Sequence, residues 1–329
     1  MIHRIQNLLK LTRWDEWYDS KIALFFFVYY YLLLGHNEVQ LRDMLLLLPL
    51  GIFFISLASF GFMLNDYSDR LVDRASGKSN AMNRLNNWQQ MLALTIALFV
   101  GLAALIPFYH YRFALIFVFL SYLSSILYSA YPFRLKEKGT WGIICVSLAQ
   151  WVLPALIVFG IFDHFALDTL LFVILSALIG LRWIMVHQLI DRSRDIQTNV
   201  RTFAVAKTPT KTFSIMKLLF ILELLAILGF VGLAAYAISF KAAVPIGAYF
   251  AFELYLFSLW KKLGFRRILA SYDFAPLADL YFFWFPLWFS ILLGYLNPWF
   301  FMITAVEILW KKDHIKSDIR LIRLRRQYV

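Results

Sequence analysis

Apolar runs of about 20 residues, long enough to span a bilayer as a helix, recur along the chain between short polar stretches. They fall at 22–34, 44–64, 88–106, 112–130, 141–162, 167–188, 213–238, 243–260 and 277–296. The first is short, and an amphipathic approach over residues 1–20 extends it, reading as a helix that lies on the membrane surface. A tenth apolar stretch, 298–310, is too short to be given a depth; with the basic residues that follow it forms a short helix and tail over 298–329. The pattern predicts an all-α polytopic bundle of about nine transmembrane helices, one domain over 1–329.

Composition agrees. Hydrophobic residues make up 61% of the 329 and aromatic residues 19%, which excludes an ordinary soluble domain. The net charge of +12 is read as topology and contact with anionic lipid rather than nucleic-acid binding. The single cysteine, Cys145, lies within a predicted span, so no intramolecular disulfide and no thiolate metal cluster is expected. Basic residues gather in the N-terminal segment and in loops 65–87, 131–140, 189–212 and 261–276, while the intervening turns hold almost none, Arg42 and Lys241 apart. The positive-inside rule therefore places the N-terminus and these loops in the cytoplasm. Nine spans would leave the C-terminus outside, yet it is rich in Lys and Arg, so 298–310 either crosses or re-enters, or the rule fails at this tail.

Candidate chemistry sits at two span ends. In LNDYSDRLVD, Asp66, Asp69 and Asp73 are spaced i, i+3 and i+7, and Asn65 joins Asp69 at i+4. If the helix continues past residue 64, they share one face. In HQLIDRSRDIQ, Asp191 and Asp195 are four apart, with His187 and Gln188 one turn earlier. Carboxylates this close repel and call for a compensating cation; hard ions such as Mg²⁺ take oxygen ligands and share them with phosphate. Lys78, Arg134, Lys136, Arg201 and Lys207 in the same loops offer phosphate contacts. The bland alternative is that the acids pair with Arg70, Arg74, Arg192 and Arg194 on a solvated loop. The 125-residue offset between Asp66 and Asp191 also fits two related four-helix units plus one extra helix.

These residues resemble the UbiA-type intramembrane prenyltransferases, the superfamily of para-hydroxybenzoate polyprenyltransferase. The family's NDxxDxxxD motif is matched by Asn65, Asp66, Asp69 and Asp73, and its DxxxD motif by Asp191 and Asp195. LYSAYPFRLK, with Tyr128, Pro132, Arg134 and Lys136, resembles a third family feature. The resemblance implies a nine-helix bundle with a cytoplasmic-side cap over the active site and an apolar tunnel open to lipid, and a Mg²⁺-dependent site for an isoprenyl diphosphate. It implies metal ligation by Asp66, Asp69, Asp73, Asp191 and Asp195, and catalytic roles for Asp66, Asp69, Asp191, Asp195 and Tyr128. Diphosphate binding then falls to Asn65, Lys78, Arg134, Lys136 and Arg201. The chain departs from many quinone-type members after the first motif, where Gly77, Lys78 and Asn80 stand in place of an Arg-Pro-containing stretch, and in TRWDEWYDSKI, which lacks an Arg-Pro signature.

The expected reaction moves an isoprenyl group from its diphosphate to an aromatic or other lipophilic acceptor. A terpene cyclase on the same scaffold would ionise the same substrate and quench the cation internally; a cation-coupled transporter would place its acids along the midplane instead. Three charges lie more than five residues inside predicted spans: Arg182, Glu223 and Glu253. Arg182 and Glu253 have similar depth, and an ion pair between them is expected, with acceptor binding by Arg182 or base action by Glu253 as the functional alternatives. His187 is expected to be a polar cavity residue rather than a metal ligand.

Overall fold

The computed structural model describes residues 8–36, 38–75, 77–270 and 276–328. Residues 1–7 of the expected surface helix therefore lie outside the described residues, as does the segment 271–275. The described residues form helices and no strands. We label the principal helices α1 (Lys21–Leu34), α2 (Leu41–Ala75), α3 (Asn87–Ala104), α4 (Arg112–Ser129), α5 (Thr140–Ile161), α6 (Leu167–Gln197) and α7 (Pro209–Ala237). They are followed by α8 (Phe240–Tyr255), α9 (Phe257–Leu263), α10 (Leu280–Leu296), α11 (Phe300–Trp310) and α12 (Lys312–Tyr328).

Local sequence explains the boundaries. The Asn86 side chain accepts from the Gln89 amide and Gln89 returns the bond, a capping box that starts α3. Thr208 caps α7 and Pro209 occupies its first position, where the missing N–H costs nothing. α5 and α10 each contain a turn of π-helix, Leu148–Val152 and Leu280–Trp284, just ahead of Pro154 and Pro286. A proline removes the hydrogen bond to the carbonyl four residues back, here that of Gln150 and Phe282, and the wider turn accommodates the break.

Among the described residues, six helices are long and apolar enough to cross a membrane, or seven if the α8–α9 pair, bent by 58°, is one span; α1, α10 and α11 are shorter apolar helices. The count of nine full spans is therefore not reproduced by length and composition. The chain is an integral, multi-pass membrane protein. α11 resolves the charge problem of the tail. At its start Asn297 Nδ2 donates to the carbonyl of Val39, just after α1, and at its end Trp310 Nε1 donates to the carbonyl of Tyr18, just before α1. α11 thus traverses the same depth as α1 in the opposite sense. The basic α12 returns to the face that carries the N-terminal segment.

α1 is the central post. Nearly all its side chains are buried, and Phe27 stacks on Phe285 at 4.8 Å with Phe172, Phe230 and Phe289 around it. α4 and α5 touch backbone to backbone: a Cβ on Gly160 would meet the Ala114 nitrogen at 2.7 Å and its Cα at 2.9 Å. Backbone cannot swing aside, so Gly160→Val should cost about 1–3 kcal/mol through overpacking, read as a lower melting temperature in detergent.

Candidate active site

α2 does continue past the apolar run to Ala75, which puts the acids of its last turns on the same side of the bundle as the N-terminal segment. Asp69 accepts from Lys136 Nζ at 2.6 Å to both oxygens and from Arg134 Nη2 at 3.0 Å. Lys136 also donates to Asn65 Oδ1 at 2.8 Å. Burial pulls the Lys136 ammonium below its ordinary value, with Asp69 opposing. Asp66 accepts from Arg13 Nη1 at 3.2 Å, and it is Arg13 that lines the cavity described below. Asp73 is buried and accepts from Asn80 Nδ2 at 2.8 Å, with Lys78 Nζ at 3.5 Å.

The stretch that departs from the family pattern has a structural task. Gly77 takes φ +71°, a left-handed conformation that suits glycine and turns the chain back after the helix. Asn80 then donates to the Asp66 carbonyl and to Asp73 through the same Nδ2, while its Oδ1 accepts from the Met82 amide. The turn thereby delivers Lys78 to the acid wall.

The second cluster lies at the end of α6. Asp191 has His187 Nε2 and Arg194 Nη1 each at 3.4 Å, and Asp195 accepts from Thr202 Oγ1 at 3.0 Å. Gln188 Oε1 accepts from the Ala204 amide. Gly139 and Thr202 form a short parallel bridge, which joins the loop after α4 to the loop after α6 above the site.

Both clusters open onto one cavity of about 1000 Å³. Asn65, Asp69, Asp73, Lys78, Tyr128, Arg134, Lys136, Asp191 and Asp195 line it. His187 lines it too, while Arg201 is exposed and outside the wall. The opposite lining is apolar and aromatic, including Phe25, Phe54, Leu57, Phe62, Trp151 and Phe282. Trp151 and Phe282 come from the two π turns and stack at 5.8 Å. The cavity therefore has a charged end and a hydrocarbon-compatible end. Among the described residues, no three carboxylates or imidazoles converge into a ready-made metal site. The donor set is nonetheless all oxygen on both walls, the type that a hard divalent ion takes, and basic side chains now neutralise the first wall.

The intramembrane charges pair differently from the sequence expectation. Arg182 does not meet Glu253. Its Nε and Nη2 form a fork to Glu223 at 2.6 and 2.8 Å, and Nη2 also donates to the Pro276 carbonyl at 3.0 Å. The reason is topological: α6 and α7 are successive and packed side by side, so the partner comes from α7. Glu253 instead lines the cavity and accepts from Trp260 Nε1 at 2.7 Å. Sequence reasoning also missed Arg13, Asp279 and His314 as wall residues.

The family model described as the UbiA prenyltransferase family matches residues 23–267. A structure reported for digeranylgeranylglyceryl phosphate synthase in membranes is similar at 17% identity and TM-score 0.58, covering 87% of this chain and 97% of that one. A UbiA homolog from Archaeoglobus fulgidus bound to Cd²⁺ is similar at 16% identity and TM-score 0.54, with 86% and 99% coverage. A UbiA homolog from Archaeoglobus fulgidus bound to GPP and Mg²⁺ is similar at 14% identity and TM-score 0.51, with 96% and 99% coverage. No curated protein matches the chain.

Proposed function

The chain belongs to the UbiA prenyltransferase family, and on that premise we propose that it moves an isoprenyl group from an isoprenyl diphosphate to a lipophilic acceptor within the membrane. The observation that carries this reading is the single cavity with acids from α2 and α6 at one end and an aromatic lining at the other. The GPP and Mg²⁺ held by the similar homolog fit such a cavity in kind. The loop charges favour a cytoplasmic location for the site face.

Asp69 and Asp73 on one wall and Asp191 and Asp195 on the other would hold Mg²⁺, with Asp66 orienting the first wall through Arg13. When bound, the ion supplies charge neutralisation to the leaving diphosphate. The protein's own cations do the rest. Lys136 and Arg134, now on Asp69, and Lys78, near Asp73, transfer donors to phosphate oxygens and stabilise the charge that develops as the allylic C–O bond breaks. The electron pair leaves with the diphosphate. Tyr128 presents an aromatic face to the allylic cation, which it stabilises without attacking. The apolar lining excludes water, the competing nucleophile. The acceptor then bonds to the allylic carbon and loses a proton.

EDTA should abolish product formation in membranes supplied with isoprenyl diphosphate and acceptor, and excess Mg²⁺ should restore it. Undiminished turnover in EDTA would sink the reading. Product made without added acceptor would favour a cyclase.

A further inference from the structure

The cavity has a second polar wall, remote in sequence from both acid motifs. Asp279, at the start of the α10 segment, and His314, Ser317 and Leu321 of α12 line it. Asp279 and His314 both lie beyond residue 267, where the family match ends. α12 is held over the cavity by the N-terminal segment. Lys311 Nζ bonds the Asp19 carbonyl, Tyr18 Oη donates to Asp313 at 3.3 Å, and Leu321 packs on Leu256 and Leu259.

Within this wall His314 Nδ1 donates to Asp279 Oδ1 at 2.5 Å. Its Nε2 is buried and has no hydrogen-bond partner among the described residues; the Asp19 carboxylate stands 3.7 Å away. A carboxylate on one ring nitrogen fixes the tautomer and leaves the other nitrogen as acceptor. A second carboxylate just out of hydrogen-bond reach stabilises the imidazolium once it forms.

We propose that this wall is the acceptor subsite and that His314, positioned by Asp279, is the base that takes the acceptor's proton. The inference rests on the prenyl-transfer reading. The acceptor–carbon bond forms, the diphosphate departs with the C–O electron pair, and the acceptor's proton passes to His314 Nε2, then to water. The acids of α2 are committed elsewhere in that mechanism, Asp69 and Asp73 to the metal and Asp66 to Arg13. The chemical class that fits is an acceptor with an O–H or activated ring C–H, because the reaction must lose one proton there.

The charged groups facing His314 are Asp279, Asp19, Asp318 on its own helix, and Lys311, which lies close to both Asp19 and Asp279. Burial, with Asp279 adding to it, pushes the Asp318 carboxyl up to about 7, so Asp318→Asn is the control for any pH effect.

The test measures transfer against pH for wild type, His314→Ala, Asp279→Asn and Asp318→Asn in reconstituted full-length protein. Binding of the isoprenyl diphosphate, measured separately, confirms that each variant is folded. His314→Ala should lose about 10²-fold in transfer and recover about tenfold with added imidazole. Asp279→Asn, which is isosteric, should lose transfer without losing diphosphate binding. The acid limb of the wild-type profile should survive in Asp318→Asn and disappear in imidazole-independent turnover of His314→Ala. Transfer by both His314→Ala and Asp279→Asn within twofold of wild type would overturn the proposal, as would a loss in His314→Ala that imidazole does not relieve. Wild type that releases no diphosphate at all would overturn the prenyl-transfer reading and this inference with it.

Discussion

Asp191→Asn is expected to lower prenyl transfer by about 10²–10³-fold, the usual effect of removing one group that stabilises developing charge, while the protein stays folded. The partners of Asp191 explain the separation. His187 and Arg194 stand at 3.4 Å with side chains 45% and 54% exposed. Exposed pairs of this kind contribute about 0–1 kcal/mol, so the melting temperature should barely move. Asp69→Asn should behave otherwise. Its partners, Lys136 and Arg134, are 12% and 5% exposed; Lys136 would lose its anion, and Arg134 would be left with Glu137 alone. That variant should lose transfer and stability together. Assays of product formation beside thermal melts in detergent distinguish the two; equal stability losses would contradict the assignment of Asp191 to ligand binding.

Arg182→Met is expected to destabilise the bundle by about 3–5 kcal/mol, the cost of leaving a buried partner charge uncompensated. The fork to Glu223 is 1% and 0% exposed on its two sides. Replacing both, as Arg182→Met with Glu223→Leu, should recover most of that loss, because two apolar side chains leave nothing to desolvate. Because the pair is satisfied internally, the double variant should retain isoprenyl diphosphate binding. Melting temperature and the yield of monodisperse protein report the effect. A single variant as stable as wild type would mean that Glu223 has another partner or is neutral.

Much of the charged end of the cavity was legible in the sequence, for a physical reason. The spacing of Asp66, Asp69 and Asp73, and of Asp191 and Asp195, is meaningful only if α2 and α6 run on past their apolar stretches, and both do. The placement of Lys78, Arg134 and Lys136 follows from loops short enough to stay beside those helix ends. Arg13 was not legible. It reaches Asp66 from a left-handed turn at φ 51°, a conformation that leaves no periodic trace. The π turns of α5 and α10 were hidden too, although Pro154 and Pro286 mark them in retrospect. Depth alone misled the pairing of Arg182, since residues at equal depth meet only if their helices are neighbours. The count of nine spans is not reproduced at α1 and α10, apolar helices that are short for a full crossing, or at the bent α8–α9 pair. Asp279 and His314 are 35 residues apart and belong to no motif, so only the fold brings them together.

The central claim is that the walls of α2 and α6 hold one metal–diphosphate group between them. Its most direct test is the binding of a non-reactive isoprenyl thiolodiphosphate to the purified protein by calorimetry, with and without Mg²⁺, in wild type, Asp73→Asn, Asp191→Asn and the double variant. If both walls share one group, binding requires Mg²⁺ and the double variant loses little more than the worse single, a clear departure from additivity. Metal-independent binding, or losses that simply add, would contradict the account.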